Sequence, residues 1–389
     1  MRRLLLLFLC GFLHAQAQGQ SIAGTNVKYW YDLSSEVSWA WRVAADRDSI
    51  VVFYEMTANS ATPLSGYRVQ WEKREAFGQR SGEPVAASEK IIRDSERKKI
   101  GRLTFAVPAK PWLLTAIVTH TPSQARYLFV RQLEANYPPD GWIEADSVPL
   151  FTPFVASGKP TVMRYRTTTK DVTVFQYSTP FPAASPPFVE KEKRVAPALV
   201  ADSLINTAPG VPLPFKNAGL YLAQLDTNAA KGFAFRIADA NYPRFATLEQ
   251  LVDPLVFVTT QEEFQQLKAA TADKKAFDKV ILDITGDAER AKNFMRNYFR
   301  RVEHANRLFT SYKEGWKTDR GMIYLIFGPP DEVSHTGSAE AWNYKNHKVR
   351  FTFVKSGTLY DPDNLVLVRD KRFAERWYYT IDLWRKSRY

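Results

Sequence analysis

The residues able to do chemistry are few and dispersed. Past the N-terminal stretch the histidines stand at 120, 304, 335 and 347. No two of them share the i, i+4 spacing that turns two imidazoles toward one metal from a helix. His335 and His347 flank Trp342, and a hairpin could bring them together with Asp331 or Glu332 as a third ligand. Packing and surface roles account for them more simply, so no metal and no cofactor are expected. The chain has no G-x-S-x-G elbow, phosphate loop or dinucleotide fingerprint. Acids and one cation gather around residues 314–332, where Asp319, Arg320, Asp331 and Glu332 could form an exposed cluster that recognises a partner. A hydrolase would need Asp319, Asp331 or Glu332 to line one cleft, since two carboxylates roughly 5–10 Å apart suffice for glycoside cleavage. Aromatic side chains offer a third chemistry. Trp39 and Trp41 alternate onto one strand face, as in a sugar-stacking platform, although core packing explains such pairs as well.

The N-terminus sets the compartment. Residues 1–17, MRRLLLLFLCGFLHAQA, combine a charged start at Arg2 and Arg3, an apolar core from Leu4 to Leu13, and small residues at Ala15 and Ala17. This reads as a secretory signal peptide with a core too short to span a bilayer. Cys10, the single cysteine, lies within that core behind Phe8 and Leu9, where lipoprotein processing would want small residues. Past residue 17 the chain then has no thiol for disulfides or cysteine metal sites. The formal charge is +12, of which Arg2 and Arg3 carry two, leaving +10 on the mature chain. For an exported protein that charge suits anionic envelope polymers, lipid headgroups or an acidic partner, and no nucleic acid.

The remaining length suggests two or three domains. Residues 25–140 read as successive short strands. Val51–Met56 is apolar on both faces, Tyr67, Val69 and Trp71 alternate with polar residues, and Leu103, Phe105 and Val107, Trp112–His120 and Tyr127–Gln132 follow. Regular strands parted by turns predict a β-sandwich of immunoglobulin-like size. A second, smaller β-rich domain is expected over 141–257, with strands at Val162–Arg166, Val172–Tyr177, Leu220–Gln224 and Gly232–Ile237. Proline-rich connections at 179–188 and 208–214 cannot sit in central strands. An α+β domain is expected over 258–389. Thr259 or Thr260 caps its first helix above Glu262 and Glu263, and Ala276–Leu282 forms a second. Phe294, Tyr298, Val302, Ala305, Phe309 and Tyr312 recur at 3–4 residue spacing, one face of a long helix.

That helix runs into EGWKTDRG. A strand is expected over Met322–Phe327, then a rigid turn at Gly328-Pro329-Pro330-Asp331, then strands at Ala341–Tyr344 and Val349–Val354. Gly315 and Gly321 are expected to supply positive φ at helix exit and strand entry, Trp316 to anchor the turn, and Thr318 and Asp319 to bond nearby amides. From GWKTDRGMIYLIFGPPDEV and the following W-x-Y strand, roughly residues 245–389 resemble the GWxTD domain of exported bacterial proteins. The matching positions are Gly315, Trp316, Thr318, Asp319, Arg320, Gly321, Gly328, Pro329, Pro330, Asp331, Trp342 and Tyr344. The resemblance implies a compartment, and no activity, cofactor or catalytic residue comes with it. A shorter pattern is similar to the small β-hairpin lipoproteins of outer-membrane assembly: a strand, then Gly328 and Pro330, then Trp342, Tyr344 and Phe351.

The expected protein is therefore a multidomain, periplasmic or outer-membrane-associated component of the cell envelope. It would act through protein–protein contacts, without a transmembrane segment in the mature chain. A carbohydrate- or peptidoglycan-binding protein is the alternative, and a hydrolase the third reading.

Overall fold

The computed structural model describes residues 19–85, 87–166, 171–190 and 199–388. The expected signal peptide, with Cys10, lies outside them. Among the described residues, no helix is long and apolar enough to cross a membrane.

Eight strands build the first unit: β1 (Val37–Ala45), β2 (Ser49–Ala58), β3 (Tyr67–Arg74), β4 (Glu83–Pro84), β5 (Lys90–Asp94), β6 (Lys98–Ala106), β7 (Trp112–His120) and β8 (Arg126–Leu133). They form two antiparallel sheets, ordered β1-β2-β6-β5 and β4-β3-β7-β8. Val37 and Met56 from the first sheet pack with Tyr67, Ala116, Val118 and Phe129 from the second in one core. This is a sandwich, and β2 is buried on both faces along its middle, as its continuous apolar run requires.

The second unit uses β9 (Gly141–Ala145), β10 (Val148–Pro149), β11 (Phe154–Ala156), β12 (Pro160–Tyr165), β13 (Val172–Tyr177), β14 (Ser203–Thr207), β15 (Pro212–Pro214), β16 (Gly219–Gln224) and β17 (Phe233–Ala238). Its sheets run β10-β9-β12-β15 and β11-β17-β16-β13-β14, over a shared core that includes Ile143, Met163, Val174, Tyr221 and Phe235. The second proline-rich stretch is partly a strand. Pro212 and Pro214 are tolerated because β15 is the edge of its sheet.

Among the described residues, six α-helices and a last sheet follow: α1 (Leu248–Val252), α2 (Gln261–Ala269), α3 (Lys274–Thr285), α4 (Ala288–Phe309), α5 (Asp319–Phe327), β18 (Glu332–Thr336), β19 (Ala339–Tyr344), β20 (Val349–Lys355), β21 (Leu365–Leu367) and α6 (Ala374–Arg385). Thr260 caps α2 in a reciprocal box with Glu263. Asp287 caps α4, which buries Phe294, Tyr298, Val302, Ala305 and Phe309 along one side. Tyr312 lies beyond its end.

One expectation fails here. Met322–Phe327 is not a strand but the body of α5. Thr318 caps it, its Oγ1 accepting from the Gly321 amide at 3.0 Å, and Asp319 sits in its first turn, near the positive dipole end. Nearly every residue of α5 is buried, so no polar face interrupts the run. A short, uniformly apolar stretch carries no periodicity to tell helix from strand. The pattern shared with the hairpin lipoproteins therefore lacks its opening strand.

Candidate functional site

The 315–344 motif is a joint between chain segments far apart in sequence. Gly315 and Gly321 are needed for closeness, not for the positive φ expected of them. A Cβ on Gly315 would stand 2.1 Å from the Ala305 carbonyl oxygen, and one on Gly321 1.7 Å from the Gly315 oxygen. The end of α4, the turn and the start of α5 thus touch backbone to backbone. Asn306, fully buried in α4, fastens the turn. Its Oδ1 accepts from the Trp316 amide at 3.2 Å and its Nδ2 donates to the Pro243 carbonyl at 3.1 Å. Trp316 is buried with its ring against Phe257. Gly328 does have a left-handed backbone, φ +85°, and the Arg301 guanidinium lies against its Cα.

Asp319 and Arg320 do not join Asp331 and Glu332 in an exposed cluster. Asp319 is 8% exposed and pairs with Arg369, itself 7% exposed, at 2.6 Å. Its second oxygen accepts the Leu367 amide at 2.8 Å. Arg369 also donates to the Ser185 carbonyl at 3.2 Å, and the Ala184 amide donates to the Lys317 carbonyl at 2.9 Å. The proline-rich connection at 179–188 is thereby strapped onto the motif. Arg320 points elsewhere, donating to the Tyr31 hydroxyl at 3.2 Å above the Phe309 ring. Asp331 accepts the Lys345 amide at 2.7 Å, and Glu332 pairs with the Lys345 ammonium at 2.7 Å near the surface. Pro329 is exposed and Pro330 buried. Tyr344 donates to the Gly328 carbonyl at 2.8 Å.

A residue that sequence reasoning passed over is central. Glu340 is 1% exposed, and its carboxylate accepts from the Tyr31 hydroxyl at 2.8–2.9 Å and from Trp342 Nε1 at 2.7 Å. Burial and the Glu340 charge push the Tyr31 phenol up, so it stays protonated and donates. Burial works against the Arg320 charge, but Tyr31, Glu340 and Asp361 outweigh it and hold the guanidinium protonated more firmly than usual. His335 approaches Glu340 at 3.9 Å, yet burial pushes its pKa down and its ring stacks on Phe77 at 4.7 Å. The charge facing Glu340 is therefore Arg320. Trp342 is fully buried among Tyr31, Phe309 and Phe353.

Tyr31 arrives from the other end of the chain. Residues 26–31 lie along β18: the Val27 amide donates to the Val333 carbonyl, and the Val333 amide to Asn26 Oδ1, both at 3.0 Å. Val27, Tyr31 and Ala184 share one core with the helical region. No local signal marks these partners, because each contact joins residues hundreds of positions apart.

The two imidazoles stay separate. His335 sits opposite Glu340 in β18, near the β18–β19 turn, while His347 lies past the other end of β19, beside Thr380 and Phe327. Among the described residues no group of three ligand-type side chains converges on a metal position. Trp39 is stacked against both Tyr54 and Phe129, at 4.9 and 5.3 Å, and Trp41 packs beside it and Trp71 within the sandwich.

Residues 219–386 match the GWxTD domain family model. The match opens at β16, so it takes in the β16–β17 hairpin of the second unit as well as the helices. No curated protein matches the chain. A solved structure described as DIP-gamma IG1+IG2 aligns at 12% identity over 53% of this chain and 97% of its own, with a TM-score of 0.18.

Proposed function

We propose that this GWxTD-domain protein is a non-enzymatic structural or interaction component of the bacterial cell envelope, periplasmic or associated with the outer membrane. The observation that carries the reading is the engagement of the motif's reactive-type side chains. Asp319 is committed to Arg369 and the Leu367 amide, and Arg320 to Tyr31. A buried joint whose charged side chains are paired suits a scaffold that holds several modules in one orientation. The leader-like N-terminus supports export, and the positive charge of the mature chain suits acidic partners. In this reading the chain divides into an immunoglobulin-like unit over 25–140, a smaller β-unit over 141–257 whose last stretch, from α1 on, packs into the helical core, and the α+β unit over 258–389. Two antiparallel sheets over one core support the first label.

The contact surface then lies outside the motif. Tyr378 and Tyr379 of α6, 59% and 55% exposed, are the large aromatics most open to a partner. The test is in-cell photo-crosslinking from α6 and from the loops of the first sandwich, followed by purification from fractionated envelopes. Defined envelope proteins in the crosslinks, reduced by Tyr378→Ser/Tyr379→Ser, support the reading. A protein recovered alone from every position overturns it.

A further inference from the structure

The first sandwich, the β9–β10 hairpin and the loops following α4 and β20 meet around a cavity of about 170 Å³. An apolar cavity of roughly 150 Å³ takes one benzene molecule, so this space accepts a single ring at most. Arg42 of β1 and Arg131 of β8 line it together with Ser311, Asp361, Asp363 and Trp142. Its polar lining is incompletely paired. Arg131 bonds Asp363 through Nη1 at 2.7 Å and the Tyr137 hydroxyl through Nη2, but its Nε is buried with no partner. The Ser311 hydroxyl is buried and bonds the Asp361 carboxylate. A buried donor or acceptor left unmade is costly, so such atoms mark a place for water or a ligand. The Asp363 side chain is 44% exposed, giving the cavity an opening to solvent.

The charges indicate what fits. Two guanidiniums and two carboxylates line the same space. An anion would meet Asp361 and Asp363, and a cation would meet Arg42 and Arg131. Arg42 is already spent on the Leu150 and Thr152 carbonyls, at 2.9 and 3.2 Å. An uncharged ring carrying several hydroxyls escapes both conflicts. It can donate to the carboxylates, accept from Arg131 Nε–H, and lay its carbon face on the apolar wall that Trp142 contributes.

We propose that this junction cavity binds one neutral sugar ring, either free or at the end of a glycan. The site is separate from Trp39 and Trp41, and the proposal stands independently of the scaffold reading. It is tested on the full mature chain by saturation-transfer NMR and calorimetry with N-acetylglucosamine, glucose and the N-acetylglucosamine disaccharide. At least one probe is expected to bind. Binding of the disaccharide marks a glycan end, and binding of monosaccharides alone marks a free sugar. Ser311→Phe, which fills the cavity, and Asp361→Asn, which keeps its shape, should each weaken binding by about tenfold or more, as loss of a hydrogen bond to a charged group does. Thermal melts check that each variant is folded, and if Ser311→Phe is not, Asp361→Asn alone decides. No binding of any probe, or wild-type affinity in either folded variant, overturns the proposal.

Discussion

The α-carbon of Gly321 rests on the carbonyl oxygen of Gly315, so close that a methyl group at 321 would stand 1.7 Å from that oxygen. The oxygen belongs to backbone and cannot swing aside. Gly321→Ala should therefore force the turn off α5 and cost about 3 kcal/mol or more, at the upper end of overpacking. Gly315→Ala, 2.1 Å from the Ala305 oxygen, should behave alike. Urea unfolding followed by circular dichroism measures both.

The pair of Asp319 and Arg369 predicts strong coupling. Removing either partner strands a buried charge, so Asp319→Leu and Arg369→Met should each cost about 3–5 kcal/mol. The double variant should cost far less than the sum of the two. A double-mutant cycle reads this directly, and simple additivity would mean that the pair is not coupled.

Tyr31→Phe deletes the hydroxyl that serves Glu340 and Arg320 while leaving the ring against Trp342. A lost hydrogen bond to a charged acceptor costs about 1.5–3 kcal/mol. Limited proteolysis should also cut the variant faster near residues 26–31, because their anchor into the C-terminal core is weakened. An unchanged cleavage pattern would show that Val27 and Asn26 suffice.

The strands and the long helix could be read from the chain because their periodicities are local. Tyr67, Val69 and Trp71 show period two, and Phe294 to Phe309 show the helical stripe. Helix α5 could not, since burial on every side erases its pattern. The site was legible in composition but not in role. Asp319, Trp316 and Trp342 stand out in the motif, yet what Asp319 does depends on Arg369, 50 residues on, and what Glu340 does depends on Tyr31, 309 residues back. Spacing along a chain says nothing about such pairs.

A fragment spanning only 219–386 should fold poorly. Its core is completed by Val27, Tyr31 and Ala184, and Glu340 would lose its buried donor. Weakly dispersed amide resonances are expected for the fragment, against well-dispersed ones for the full chain.

Stability should depend on pH through Asp361. Burial and the charge of Asp363 raise its carboxyl from 3.8 to about 6. The folded state binds this proton more tightly than the unfolded one. Its contribution is therefore fully present below about pH 4 and is lost as pH rises through 6. Asp361→Asn should remove that loss, gaining about 1–3 kcal/mol at pH 8 relative to its effect at pH 4. Asp140, raised to about 6 by burial, keeps its own slope of the same sign. Chemical denaturation of both proteins across that range isolates the difference.

The seating of residues 26–31 against β18 also dictates timing. A ribosome delivers the N-terminal residues first, and Glu340 emerges some three hundred peptide bonds after Tyr31. Until then Tyr31 has no acceptor and the helical core lacks a wall, so the two β-units can condense early while the final closure waits for the end of synthesis. During that interval the N-terminal residues remain available to any chaperone that shields aromatic side chains.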